Sequence, residues 1–416
     1  MDSPAPLTSR QIVWFMVFCV CYEWSGIDGM VVNPRISFLI RNDLHASVED
    51  LARFGQIIAA VGIFSLLFGF LRDRWPWGDR RLLLLEIPFY VTIPLFLFCA
   101  RLTYGRLLGC MAVATVSSGM MTASFNGTLA TMGRRLGAAG RLVGAYTAVN
   151  ALIAAGGQEL GGALASRPFS LTLLLVSLFS VLLFLLVFWP PEGAFPPQTR
   201  SDSESVVTPR NALLRLARCR PYQIAILYSL VWNFTPAYWT PLTVRLQDVV
   251  GLTPGEFAHY GAIGELVGVF GGLAFVLLAS RFSPRAILTW GPVIYLPLVF
   301  LLFFLRTPRD AYVMIGATCL VSSALNAATF ALVLRTVPVG LEGTGLAFSA
   351  TLGVLLDGQG DVWSTFFSQR YGFYATVWVT ILLVLLLPPL ARLVPKLEQK
   401  ASEGWARSER TVPGAH

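Results

Sequence analysis

Residues 168–191 read PFSLTLLLVSLFSVLLFLLVFWPP. Across this whole run there is no charged side chain, and leucine, valine and phenylalanine dominate. About 20 apolar residues wound into a helix cross the roughly 30 Å hydrocarbon core of a bilayer. The apolar residues run continuously and do not alternate, so this is a membrane-spanning helix and not a strand of a barrel. Prolines at both ends suit the first turn and the exit of such a helix.

Outward from this stretch the pattern recurs. Residues 107–133, 221–244, 286–305, 311–334 and 371–391 are also charge-free, 54–71 is charge-free between Arg53 and Arg72, and 82–100 carries only Glu86. Four further apolar stretches, 11–33, 142–166, 257–280 and 343–369, hold one or two acids each. In chain order these make spans 1 to 12, and the expected fold is an all-α membrane protein with 12 transmembrane helices. Composition agrees. Hydrophobic residues make up 55% of the 416 and charged residues 13%, about half the usual share near 25%. So few charges cannot cover a water-facing surface, which excludes soluble, disordered, disulfide-scaffold and nucleic-acid-binding classes. The six cysteines show no zinc spacing.

Orientation follows from the basic residues, which favour cytoplasmic loops. With both termini cytoplasmic, 21 of the 31 Lys and Arg fall on the inner side and 10 on the outer. The expected location is a multi-pass position in a bacterial-type inner membrane or a plasma membrane. Residues 191–220 form the longest internal polar stretch and separate a bundle at 1–190 from one at 221–396, with a polar tail at 397–416. Within the linker, arginines at 210, 215, 218 and 220 intersperse with Leu213, Leu214 and Leu216, which suits an amphipathic helix on the inner surface.

The halves repeat each other. A shift of 206 carries Ala52, Gly55, Ile57, Val61, Gly62 and Phe64 onto Ala258, Gly261, Ile263, Val267, Gly268 and Phe270. A shift of 205 carries Val116, Ser117 and Ser118 onto Val321, Ser322 and Ser323. Matching spans are six apart, so both copies keep one orientation and the repeat is parallel. Spans 6, 9 and 12, and nearly span 3, are uniformly apolar and suit the lipid-facing layer. Two six-helix pseudo-repeats around a central cavity are therefore expected.

The loop after span 2 reads Gly69-Phe70-Leu71-Arg72-Asp73-Arg74, then Gly78-Asp79-Arg80-Arg81 after an insert of Trp75-Pro76-Trp77. It resembles the G-x-L-x-D-R-x-G-R-R signature of the major facilitator superfamily. That resemblance implies major-facilitator architecture, alternating access, and a gate at the inner side formed by Gly69, Asp73, Arg74, Gly78, Arg80 and Arg81. The stretches Phe38-Leu39-Ile40-Arg41-Asn42-Asp43-Leu44 and Trp232-Asn233-Phe234-Thr235-Pro236 resemble the folate–biopterin transporter branch. No Lys or Arg lies at the centre of any span, which argues against a folate and for a neutral or cationic solute.

A carboxylate deep in a bilayer is costly unless it faces a wet cavity, is paired or is protonated. Glu23 lies about 12 residues into span 1, roughly 18 Å along the helix, and Glu265 is similarly central in span 8. With Asp28, Asp357 and Asp361 they are the candidate proton-coupling and cavity acids. Structural hydrogen bonding between helices is the competing reading, and it leads for Glu159. Glu86 reads as a charge at the edge of a loop. Tyr22, Trp24, Asn126, Trp232, Asn233, Thr235 and Asn326 are the candidate substrate contacts, on spans 1, 4, 7 and 10. Gly26 and Gly29 flank Asp28 and would let span 1 bend or pack closely, and Pro236 and Pro241 would break or kink span 7. Gly156, Gly157, Gly161 and Gly162 in span 5 read as close-packing positions.

No phosphate loop, nucleophile constellation or metal cluster is legible, so an enzyme, a cofactor and a metal site are not expected. The partners expected are a small-molecule solute, protons and the lipid bilayer, with no nucleic acid, and the protein is expected to be a monomer. The function expected is secondary active transport of a small organic solute by alternating access, coupled to protons. The alternatives are a proton-linked efflux pump and a non-transporting membrane assembly factor on the same scaffold.

Overall fold

The computed structural model describes residues 9–74, 78–135, 139–191, 209–338 and 341–393. Among these residues there is helix and no strand. Seven helices are each long and apolar enough to cross a membrane: Val48–Leu71, Arg80–Cys99, Phe169–Phe188, Pro254–Arg281, Pro284–Phe304, Pro308–Thr336 and Phe373–Ala391. They are spans 2, 3, 6, 8, 9, 10 and 12. Spans 1, 4, 5, 7 and 11 complete the twelve. These five are interrupted or rich in small and polar residues.

The two bundles are built alike. In span 6, Leu171, Leu174, Leu178 and Leu182 face outward while Thr172, Leu173, Val176, Ser180 and Leu183 are buried. With no polar face to present, such a helix can meet only lipid outside and protein inside. Spans 3, 9 and 12 likewise expose Phe89 and Phe96, Trp290 and Ile294, and Trp378 and Leu382. These four are the periphery, as their composition predicts.

Three helices start in capping boxes at the end of the molecule opposite the termini, here the distal end. Ser47 with Asp50 opens span 2, Thr253 with Glu256 opens span 8, and Thr307 with Asp310 opens span 10. Each hydroxyl accepts from the backbone N–H three residues on, and each carboxylate accepts from the capping residue's N–H. All three precede the apolar runs that begin at 54, 257 and 311. Ser47 and Asp50 fall on Thr253 and Glu256 at the repeat's own shift of 206, so the repeat extends to the caps.

Two seams join the bundles. Span 2 lies along span 11. A Cβ placed on Gly358 would lie 2.3 Å from the Ala59 Cβ, one on Gly62 3.0 Å from Val354, and one on Gly69 2.4 Å from Ala347. Span 5 lies along span 8, where a Cβ on Gly162 would lie 2.7 Å from Ala258 and one on Gly261 1.7 Å from Gln158 Oε1. The span 5 glycines also admit span 1: Gly156 and Gly157 face Trp24, and Gly161 faces the Val31 carbonyl. They are close-packing positions, as read from the sequence.

The linker helix Pro209–Arg218 packs Ala212 and Leu216 on the second bundle and leaves Leu213 and Leu214 exposed. Glu86 corrects a sequence expectation. It is only 3% exposed, because helix Gly78–Cys99 starts eight residues earlier and carries it about 12 Å inward. Its Oε2 has no hydrogen-bond partner among the described residues.

Candidate functional site

The first span of each bundle is interrupted. Helix Ser9–Trp24 ends, the chain turns, and helix Asn33–Phe38 resumes. Gly26 adopts φ +74°, which side chains rarely tolerate. A Cβ there would also lie 2.4 Å from the Tyr90 ring. The Met30 N–H donates to the Glu23 carbonyl across the turn at 2.9 Å. In the second bundle, helix Arg220–Asn233 ends before a 3-10 turn at Pro236–Tyr238, and helix Thr240–Asp248 follows. Pro236 and Pro241 supply no N–H to a continuous helix, which accounts for the break. A shift of 206 carries residues 26–32 onto 232–238, so the two interruptions are equivalent in the repeat. Interrupted helices at matching positions of two repeats leave backbone groups free at mid-membrane depth, where transporters bind their solutes.

The five candidate acids separate into three settings. Glu23 and Glu265, from opposite bundles, lie within electrostatic reach of each other. Tyr146 of span 5 lies near Glu23, and Cys319 of span 10 near Glu265. Asp28 sits in the span 1 interruption and turns into the first bundle, where the Tyr90 hydroxyl donates to its Oδ2 at 3.3 Å. Its Oδ1 has no partner among the described residues. Asp357 is exposed on span 11, near Asp361. Asp361 accepts from the Thr240 N–H at 2.9 Å and the Thr240 hydroxyl at 2.8 Å. It thereby caps, from another span, the helix that restarts span 7.

The aromatic and polar candidates are largely engaged within their own bundles. Trp24 Nε1 donates to the Ile153 carbonyl at 2.8 Å, and its ring meets Phe179 edge-on. Trp232 is buried and donates to Asn326 Oδ1 at 2.5 Å. Asn233 Nδ2 donates back to the Ser229 carbonyl, and the Thr235 hydroxyl to the Asn233 carbonyl. Tyr22 Oη and Thr122 Oγ1 share a hydrogen bond of 3.0 Å. The side chain of Asn126 lies outside the described residues.

Of the loop motif that begins at Gly69, Gly69 packs against Gly343 and Ala347 of span 11. Arg80 donates to the Val187 and Phe188 carbonyls and closes the end of span 6. Arg81 is exposed. The side chains of Asp73 and Arg74 and the surroundings of Gly78 lie outside the described ones.

The distal ends of the bundles are clasped. Arg41 of span 1 donates to Gln247 Oε1 at 2.5 Å and to the Asp248 carboxylate at 3.2 Å, and Gln247 Nε2 reaches Ser37 Oγ at 3.3 Å. Arg41 and Gln247 are equivalents at the shift of 206, so the repeat's two copies of one position meet here. Phe38 packs edge-on against Phe257, and His259 Nδ1 lies 2.5 Å from Glu159 Oε1. Other arginines at the distal end close helix ends. Arg245 donates to the Leu305 carbonyl and the Tyr374 hydroxyl beneath two aromatic rings. Arg35 donates to Thr172 and to the Arg167 carbonyl. Tyr146, Gln158 and Asp361's capping role carry no local sequence signal. The interruptions did, in Gly26, Gly29, Pro236 and Pro241.

Two six-helix bundles, each opening with an interrupted span and meeting around a shared centre, define a membrane transport scaffold. The model of the Major Facilitator Superfamily matches residues 13–356, and the chain belongs to that superfamily. No curated protein matches it in sequence. Among solved structures it is similar to the human organic anion transporter TETRAN, with a TM-score of 0.72 at 16% identity over 92% of this chain and 100% of that one. It is also similar to the E. coli fucose:proton symporter FucP, at TM-score 0.67 and 16% identity over 93% and 99%. A third is a bacterial homologue of the human lysosomal transporter Spinster, inward-facing and unoccupied, at TM-score 0.69 and 15% identity over 95% and 99%. At such identities the likeness establishes the fold alone. Members of the superfamily are transporters and not enzymes.

Proposed function

We propose that the chain is a secondary active transporter that moves a small organic solute by alternating access and couples that movement to protons. The observation that carries this reading is the pair Glu23 and Glu265. One carboxyl comes from each bundle, the two are within electrostatic reach, and no basic residue shares their depth in the sequence. Two carboxyls that approach and separate as the bundles rock have different proton affinities in the two states. A proton taken up on one side is then released on the other.

The moving units are residues 1–190 and 221–396, linked through 191–220, with both termini cytoplasmic and one chain sufficient. The seams of span 2 with 11 and of span 5 with 8 are the surfaces on which they rock. The Arg41–Asp248 and Glu159–His259 contacts hold the distal side shut. The loop from Gly69 to Arg81 gates the other side, with Asp73, Arg74, Gly78, Arg80 and Arg81 supplying its charges and turn. The interruptions at 25–32 and 234–239 let each first span bend.

The test is reconstitution in liposomes under an imposed pH gradient, with solutes first selected by thermal-shift screening across amines, sugars, peptides and folates, since a bound ligand raises apparent stability. Glu23→Gln and Glu265→Gln should abolish gradient-driven uptake while leaving counterflow of solute without a gradient. Gradient-driven uptake that survives both substitutions would refute the coupling.

A further inference from the structure

Away from the centre, on the lipid-facing side of the first bundle, a groove of about 480 Å³ opens between spans 3 and 4 near their distal ends. Its walls are Thr92, Ile93 and Phe96 from span 3 and Gly109, Cys110 and Val113 from span 4, with Arg106 at the end nearest the start of its helix. Phe96 and Val113 are among the exposed apolar side chains. The wall residues lie about 5–14 Å below the ends of helices Gly78–Cys99 and Tyr104–Arg135. That depth falls within a single leaflet, whose apolar half is about 15 Å thick.

The glycines decide what the groove is for. Elsewhere in span 4 a glycine permits close packing, as Gly119 does, where a Cβ would lie 2.3 Å from Ser65 Oγ. At Gly105 and Gly109 a Cβ would meet nothing within 4 Å. No helix needs them there, and glycine weakens a helix by about 1 kcal/mol relative to alanine. Gly109 lines the groove and keeps it open there. An apolar groove in the hydrocarbon layer is filled by an acyl chain, since water gains no hydrogen bonds there.

Arg106 fixes which lipid. Its Nη1 donates to the Arg101 carbonyl at 2.9 Å, which leaves guanidinium donors directed away from that bond. The side chain is exposed in the first turn of its helix, where the helix dipole also favours an anion. Both lie at headgroup level, directly above an apolar slot. We propose that this groove is a binding site for an anionic phospholipid, with one acyl chain between spans 3 and 4 and the phosphate on Arg106.

Cys110 lines the groove and reports on it, and exposed Cys99 serves as the internal control. The full chain in detergent micelles is titrated with phosphatidylglycerol or phosphatidylcholine, and alkylation of Cys110 by N-ethylmaleimide is followed by peptide mass spectrometry. Phosphatidylglycerol should protect Cys110 at about fivefold lower mole fraction than phosphatidylcholine, the weight of one arginine facing an anionic lipid. Arg106→Gln should erase that preference. A Cβ on Gly109 meets nothing within 4 Å, so Gly109→Phe, its folding checked by size-exclusion chromatography, should fill the slot and protect Cys110 with no lipid added. Equal protection by both lipids, a preference that survives Arg106→Gln, or unchanged Cys110 reactivity in Gly109→Phe would each overturn the site.

Discussion

Replacing Gly69 by alanine should open the terminal end of the molecule. A Cβ at this position would stand 2.4 Å from the Ala347 Cβ and 2.6 Å from the Gly343 carbonyl oxygen. Apolar atoms rest about 3.5–4.0 Å apart, so spans 2 and 11 must part by about 1 Å. The nearest obstacles are a backbone oxygen and a short side chain, and neither has a flexible tip that can swing aside. Overpacking of this kind costs roughly 1–3 kcal/mol. The penalty applies only in the state in which the terminal ends touch, so the equilibrium should move toward terminal-open by roughly 5- to 150-fold. Spin labels at exposed Arg81 and Arg285 would report the terminal separation of the bundles, and labels at exposed Arg53 and Arg309 the distal one. Gly69→Ala should populate longer terminal distances and leave distal distances short. Ala347→Gly in the same background should reverse much of the shift, a coupling that a double-mutant cycle measures. A folded Gly69→Ala protein with unchanged terminal distances would refute the view that this crossing holds the end closed.

Other substitutions test the remaining contacts. Arg41→Gln or Asp248→Asn should loosen the distal clasp by roughly 1.5- to 5-fold, the range of a partly exposed ion pair, and the effect should shrink at high salt; the Arg53–Arg309 spin-label distance measures it. Asp361→Ala should lower thermal stability by about 1 kcal/mol through loss of the cap on helix Thr240–Asp248, whereas Asp361→Asn, which still accepts from the Thr240 N–H, should keep both stability and gradient-driven uptake. Loss of uptake in a stable Asp361→Asn protein would instead assign this carboxyl a proton.

The breaks in spans 1 and 7 were legible residue by residue, though not the pairings around them. Gly26, Gly29, Pro236 and Pro241 announce breaks in spans 1 and 7, because glycine and proline act on the backbone locally. Glu86 was misplaced because a charge near a span end looks like a loop charge until the helix start at Gly78 is fixed. Trp24 and Trp232 look like solute contacts in sequence, yet their N–H groups are taken by Ile153 and Asn326. Those partners lie 129 and 94 positions away.

The sequence by itself determined the number of spans, their parallel repeat, the lipid-facing quartet 3, 6, 9 and 12, and the absence of basic residues at mid-depth. Each of these is a property of composition along one dimension, set by the cost of placing charge in hydrocarbon. Only the tertiary structure decided which face of each helix looks inward. Successive residues on a helix are turned by about 100°, so a small rotation of a span exchanges a cavity residue for a packed one. That rotation brings Glu23 toward Glu265, turns Asp28 toward Tyr90 inside the first bundle, and gives Asp361 to the Thr240 helix end. It is fixed by glycine-sized contacts between bundles, at Gly69, Gly162 and Gly261. Those contacts join residues far apart in the chain, where no local pattern reaches.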